Sequence, residues 1–182
     1  MYKQHAKLDI AMRTFFIKWN QGHLGDMFLA EAKGLKLLFA AGAIKIPEVI
    51  SYENVERMSF MLMEFIETVP ASKLFWGNFG NSLAKLHKTS NAKFGLDHDN
   101  FIGSLPQKNT SNSSWVEFFI ENRLSVQAGL AFYNGHVSID FLKKLEKVYK
   151  KLPDLLPEDK PALLHGDLWS GNFIVQIMPN PV

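Results

Sequence analysis

Pro161-Ala-Leu-Leu-His-Gly-Asp-Leu-Trp-Ser-Gly-Asn-Phe-Ile-Val175 holds two short apolar runs, Ala162–Leu164 and Phe173–Val175, on either side of a polar loop. Aliphatic residues flanking such a loop predict buried strands or strand-like supports that fix it against a core. Gly166 and Gly171 permit tight backbone turns beside the polar groups. The loop then presents one carboxylate, Asp167, and five residues on one carboxamide, Asn172.

That spacing suits phosphoryl transfer. An Asp accepts the proton of the attacking hydroxyl, and an Asn carbonyl oxygen helps hold Mg2+ on the nucleotide phosphates. Protein kinases place His-Arg-Asp and an Asn at the same interval. Here Gly166 stands where they carry Arg, which removes the basic group that a phosphorylated activation loop docks onto and favours a small-molecule kinase. The plainer alternative is a polar turn capped by Asp167. With Leu-Leu-His-Gly-Asp-Leu-Trp-Ser-Gly-Asn complete, the stretch resembles the fructosamine (ketosamine) kinases, and Trp169-Ser170 separates it from choline and aminoglycoside phosphotransferases. The resemblance implies an α+β, protein-kinase-like two-lobe fold: an antiparallel sheet with one helix in the first lobe and a mainly helical second lobe. It also implies ATP and Mg2+ as cofactors and a small-molecule or protein-linked ketosamine as substrate.

The 182 residues suit one domain or two small lobes. A hydrophobic content of 47% with 21% charged residues is ordinary for a packed core. The net charge of +2, with dispersed basic residues, argues against a nucleic-acid face. Absence of cysteine excludes disulfides and thiolate metal sites. The first residues lack an apolar signal core and no run reaches membrane-spanning length, so no membrane association and a cytoplasmic location are expected. Two glycosylation sequons, at Asn109 and Asn112, then read as polar loop.

Taken in order, His5–Ile10 and Thr14–Trp19 predict two strands joined at Ala11-Met12-Arg13. Lys18 lies inside the second, where a charge either reaches water or meets an anion. In the kinase arrangement that lysine pairs with the ATP phosphates and with a Glu on the next helix. Asp26 is the expected cap of that helix, and Glu31 falls on a largely apolar face with Phe28, Leu35 and Leu38. An acid so placed wants a partner, and Lys18 is the obvious one. Ile44–Tyr52 reads as an edge strand, Glu53–Arg57 as a charged turn, and Ser59–Ile66 as a buried central strand. The last resembles the strand entering a kinase hinge, which implies Met63 beside adenine and Glu64, Phe65 and Ile66 as the hinge.

The lobe boundary is expected here, with residues 1–66 as the first lobe and 67–182 as the second. Ser72–Thr89 predicts a helix. Residues 91–114 are a long connection whose Asp99–Gln107 part looks like a family insert. Ser114 and Ser138 are expected caps of helices running to about Tyr133 and Leu152. In the complete enzyme the resemblance makes Asp167 the base, Asn172 a metal ligand, Lys18 and Glu31 the phosphate holders, and Trp169 and His165 substrate neighbours. The family pattern further expects a glycine-containing loop before the Lys18 strand and an Asp after Asn172. Neither is present, so the expectation is a fragment, a frameshifted frame or a decayed copy. Apolar helix faces left uncovered would then promote self-association. The alternatives are an inactive nucleotide-binding pseudokinase and a choline- or aminoglycoside-type phosphotransferase.

Overall fold

The computed structural model describes residues 4–21 and 26–176. They belong to two compact units, one running up to Thr89 and taking in the stretch from Ala162 onward, the other Ser90–Pro161.

The first unit carries an antiparallel sheet in the order β1–β2–β4–β3, with β1 Gln4–Ile10, β2 Arg13–Gln21, β3 Val49–Val55 and β4 Met58–Glu64. The apolar run of β4 takes a central position, as its composition predicts. β3 is an edge strand that begins just after Pro47. The charged turn expected at Glu53–Arg57 is shorter: β3 continues to Val55, because an edge strand can turn charged side chains to water. Glu56, at φ +52°, makes the reversal.

Helix α1, Met27–Ala40, lays Phe28, Ala32 and Leu35 against Phe16, Val49, Met61 and Met63. Phe16 pairs with Met63 and Lys18 with Met61 in the β2–β4 register. Side chains two apart on a strand share a face, so Phe16, Lys18 and Asn20 all lie on the side of the sheet that packs on α1. Asp26 sits at the helix start but makes no side-chain cap. Its contribution is a main-chain carbonyl that accepts from Ala30 N at 2.8 Å.

Helix α2, Phe75–Leu86, is shorter than predicted. The runs that flank the Asp167 loop are not strands, contrary to the sequence reading. Each is held by single main-chain bonds, Leu163 N to Thr89 O at 2.8 Å and Val69 N to Val175 O at 2.9 Å. Phe173 adds an aromatic anchor, its ring 5.0–5.9 Å from those of Phe75, Trp76 and Phe79. The loop is therefore tied at one end to the first turns of α2 and at the other just past its last turn, about 18 Å apart along the axis.

In the second unit the long connection contains a hairpin, β5 Asn100–Ile102 with β6 Leu105–Gln107. The helix expected from Trp115 to Tyr133 is α3 Trp115–Phe119, a π-helical turn Ile120–Leu124, and α4 Ser125–Tyr133. Helices α5, Ile139–Tyr149, and α6, Leu152–Leu155, follow. Ser114 and Ser138 cap as predicted, accepting from Glu117 N and Phe141 N.

Buried Asn109 organises the hairpin. Its main-chain N donates to Asp99 Oδ1 (2.9 Å), and its Nδ2 donates to His98 O (3.0 Å) and Asn100 Oδ1 (2.9 Å). Its Oδ1 accepts from Arg123 Nη2 at 2.6 Å. Burial lowers the Arg123 pKa, and its guanidinium lies 4.8 Å over the Phe118 ring.

Gly95 has φ +107°, and a Cβ there would lie 2.6 Å from Asn109 O. Gly95→Ala should destabilise the protein by at least about 1–3 kcal/mol, backbone strain alone supplying that much; an unchanged denaturant midpoint would refute the close approach. At the β1–β2 turn, Ala11 and Met12 have φ +45° and +63°, where Asn-Gly is preferred. Replacing the pair by Asn-Gly should therefore raise stability by roughly 1 kcal/mol, read from the same midpoint.

Candidate functional site

Two clusters of chemistry-bearing residues lie in the first compact unit. In the first, Lys18 Nζ of β2 is 2.6 Å from Glu31 Oε1 of α1, so the predicted ion pair is present. The side chains keep 26% and 20% of their exposure. The amine is thus compensated yet still reachable by a second anion. Two residues further along the same face, Asn20 is 1% exposed. Its Nδ2 meets Met27 Sδ at 3.8 Å, and its Oδ1 has no hydrogen-bond partner among the described residues.

The end of β4 is more constrained than its apolar sequence suggests. Met63 is buried in the core with Phe28, Ala32 and Met61. Glu64 Oε1 accepts from Lys45 Nζ at 2.7 Å and Glu64 Oε2 from Glu48 N at 3.2 Å. Glu64 N donates to Glu48 O at 2.8 Å. The hydrogen bond from Lys45 holds the Glu64 carboxyl below its usual range, opposed by partial burial and aided by Glu48 N. Glu64 therefore has no main-chain N–H to spare for a purine, and of its main chain only the carbonyl side remains. Phe65 lies beneath Lys7 Nζ, 5.2 Å from the ring centroid. Ile66 follows, half-buried. Lys45 and Glu48 had no signal in the sequence, because nothing local marks partners nineteen and sixteen residues from Glu64.

In the second cluster, Asn172 Nδ2 donates to both Asp167 O and Asp167 Oδ2 at 2.8 Å. That arrangement directs the amide nitrogen at the carboxylate and leaves Asn172 Oδ1 as an acceptor. It also leaves Asp167 Oδ1 free of the amide. Asn172 N bonds to Trp169 O at 2.9 Å, closing the Trp-Ser-Gly-Asn turn. Gly166, at φ +84°, makes the bend before Asp167. Asp167 N points at His165 Nδ1, 3.4 Å away, so His165 faces the main chain of its own loop. Trp169 is 60% exposed and covers Gly171, where a Cβ would lie 2.5 Å from the indole Cη2. The structure thus joins Lys18 with Glu31, and Asp167 with Asn172 and His165. Among the described residues no group of three or more His, Asp or Glu side chains is placed to hold a metal ion.

A sequence profile described as fructosamine kinase matches residues 2–182. A protein of Synechocystis named "Probable ketoamine kinase" is 37% identical over 171 residues, which is 93% of this chain and 57% of that protein. The protein-ribulosamine 3-kinase of Arabidopsis thaliana, named as chloroplastic, is 34% identical over 93% of this chain and 53% of its own length. A crystal structure from Haemophilus somnus, provisionally assigned as a fructosamine-3-kinase, superposes with TM-score 0.83 at 31% identity, covering 96% of this chain and 59% of that one. One from Thermobifida fusca with the same provisional assignment gives 0.84 at 29%, covering 96% and 61%. The chain spans a little over half the length of the curated relatives it matches.

Gly171→Ala should push the Trp169 ring off the turn while the backbone fold persists. The near-ultraviolet circular dichroism difference between chains with Trp and Phe at 169 should shrink, with the far-ultraviolet spectrum unchanged. An unaltered difference spectrum would show that the ring does not rest on Gly171.

Proposed function

The chain belongs to the fructosamine kinase family, with a protein-kinase-like α+β fold, and from that premise we propose that it carries the parts of an ATP-dependent phosphotransferase acting on a ketosamine sugar hydroxyl. The observation that supports this most is the Lys18–Glu31 pair. It holds an amine partly open on a sheet face, in the same compact unit as the Asp167 loop. Residues 1–66 serve in this reading as the nucleotide-side lobe, and 67–182 begin the other.

In the proposed arrangement Lys18 meets the ATP phosphates, oriented by Glu31. Adenine lies along the main chain of Glu64, Phe65 and Ile66, with Met63 as a buried wall behind it. Asp167 takes the proton of the sugar hydroxyl as its oxygen bonds to the terminal phosphorus and the bond to the ADP oxygen breaks. Asn172 occupies Asp167 Oδ2, so Oδ1 is the oxygen that receives the proton. The exposed face of Trp169 and the outer edge of His165 are the groups offered to a small-molecule or protein-linked ketosamine.

Magnesium fits this chain less well than ATP does. Among the described residues no group of three or more His, Asp or Glu side chains is placed to hold it. The ion would enter the reading as a counter-ion carried on the nucleotide, with Asn172 Oδ1 the acceptor that the described loop would offer it. When bound it would neutralise phosphate charge, and no step above depends on it.

That same scarcity of ligands favours a second reading, a chain that binds nucleotide without turning it over. A choline or aminoglycoside substrate has no comparable support. The cytoplasm is retained as the proposed compartment; among the described residues no helix is long and apolar enough to cross a membrane. Exposed Leu74 and Trp76 are where self-association would begin.

Phosphorus NMR of the chain with ATP and fructosyl-lysine tests the proposal. A new sugar-phosphate resonance is expected, reduced about 10²–10⁴-fold by Asp167→Asn with unchanged circular dichroism. Equal turnover by that variant would remove Asp167 from the chemistry. An ATP-dependent rise in melting temperature without any product would establish the second reading.

A further inference from the structure

Glu64 is held at three points, and all three lead to the connection between α1 and β3. Lys45 takes one carboxylate oxygen, Glu48 N the other, and Glu48 O takes the Glu64 main-chain N–H. Pro47 lies between the two partners and fixes one backbone dihedral of the connection. Resting on the nucleotide reading above, we propose that Lys45 is a positioning residue for the purine: through Glu64 it pins the main chain of 64–66 to the segment that leaves α1.

The reasoning starts from what the ion pair is not. Lys45 and Glu64 keep 51% and 36% of their side-chain exposure, and pairs this open contribute little to global stability. A base recognised by main-chain groups gains affinity chiefly when those groups are already in place, because ordering them on binding opposes association. Residues 65–74 form no helix or strand, so past Glu64 no ladder of hydrogen bonds orders the chain. The staple supplies that order at the last residue of β4. It also connects the purine seat to α1, whose Glu31 orients Lys18, through an eight-residue segment, 41–48. The role is indirect, since Lys45 is assigned no contact with nucleotide.

Displacement of a fluorescent ATP analogue from the full chain tests this, with adenosine and ATP as competitors. Lys45→Met should raise Kd for adenosine and for ATP by the same factor, about three- to tenfold, while the melting temperature stays within about 2 °C. Lys45→Arg should restore both. Lys18→Ala should weaken ATP and leave adenosine alone. Lys45→Met binding both competitors like the unaltered chain would overturn the proposal, and so would a loss confined to ATP, which would place Lys45 at the phosphates. An unaltered chain that does not bind the analogue at all would refute the nucleotide reading itself, and the positioning role with it.

Discussion

A lysine amine on the helix-facing side of a sheet, between Phe16 and Asn20, has to find a counter-charge. Glu31 meets it at 2.6 Å, and that contact fixes how α1 is rotated on the strands. With Glu31 turned to Lys18, the positions one turn away on either side, Phe28 and Leu35, fall on the apolar surface made by Phe16, Met61 and Met63. Ion pairs taken out of water add specificity more dependably than stability, because desolvation offsets the attraction. The remaining exposure keeps that cost modest and keeps the amine available. Asn20 shows what the same face imposes where no partner comes. Its buried Oδ1 is unpaired among the described residues, at an expense of about 1–3 kcal/mol.

The Asp167 loop is ordered by different means. Asp167, Trp169 and Asn172 are all exposed, and hydrogen bonds in such surroundings contribute only about 1 kcal/mol each. The bonds from Asn172 to Asp167 set local geometry but could not hold the loop by themselves. The holding is done outside it, where Phe173 stacks into the α2 aromatics and Leu163 and Val175 each make one main-chain bond to distant segments. The helix acts as a strut between the two ends of the loop, so loss of an aromatic from its first turns would be felt at Asp167 without touching it.

The sequence was legible where chemistry and periodicity coincide. β4 could be read because its apolar run is long enough for a central strand. The Lys18–Glu31 pair could be read because a lysine within an apolar strand and an acid on an apolar helix face each lack a local solution. The Asp-to-Asn interval carried the loop. What stayed hidden is non-local. Val69 and Thr89 support the loop singly, so the apolar flanks alternate between half-buried and exposed instead of pairing as strands. Three-residue strands such as β5 and β6 are too short to show alternation. The π-helical turn sits inside a pattern that reads as one helix, and the Asp26 cap failed although residue type and position both suited it.

Charge ranks the parts of the proposed site. In the proposed arrangement a triphosphate brings several negative charges, and Lys18, already half-committed to Glu31, is the amine assigned to it. Asp167 adds a further negative charge at the loop, and Asn172 is neutral. Coulomb attraction to one shared amine in a partly solvated setting amounts to a few kcal/mol at most, and repulsion at the loop works against it. In that arrangement nucleotide affinity would come disproportionately from the base. The firmness of 64–66 then matters more here than it would in a site lined with cations, and that is why a surface ion pair of little value to stability can carry weight in binding.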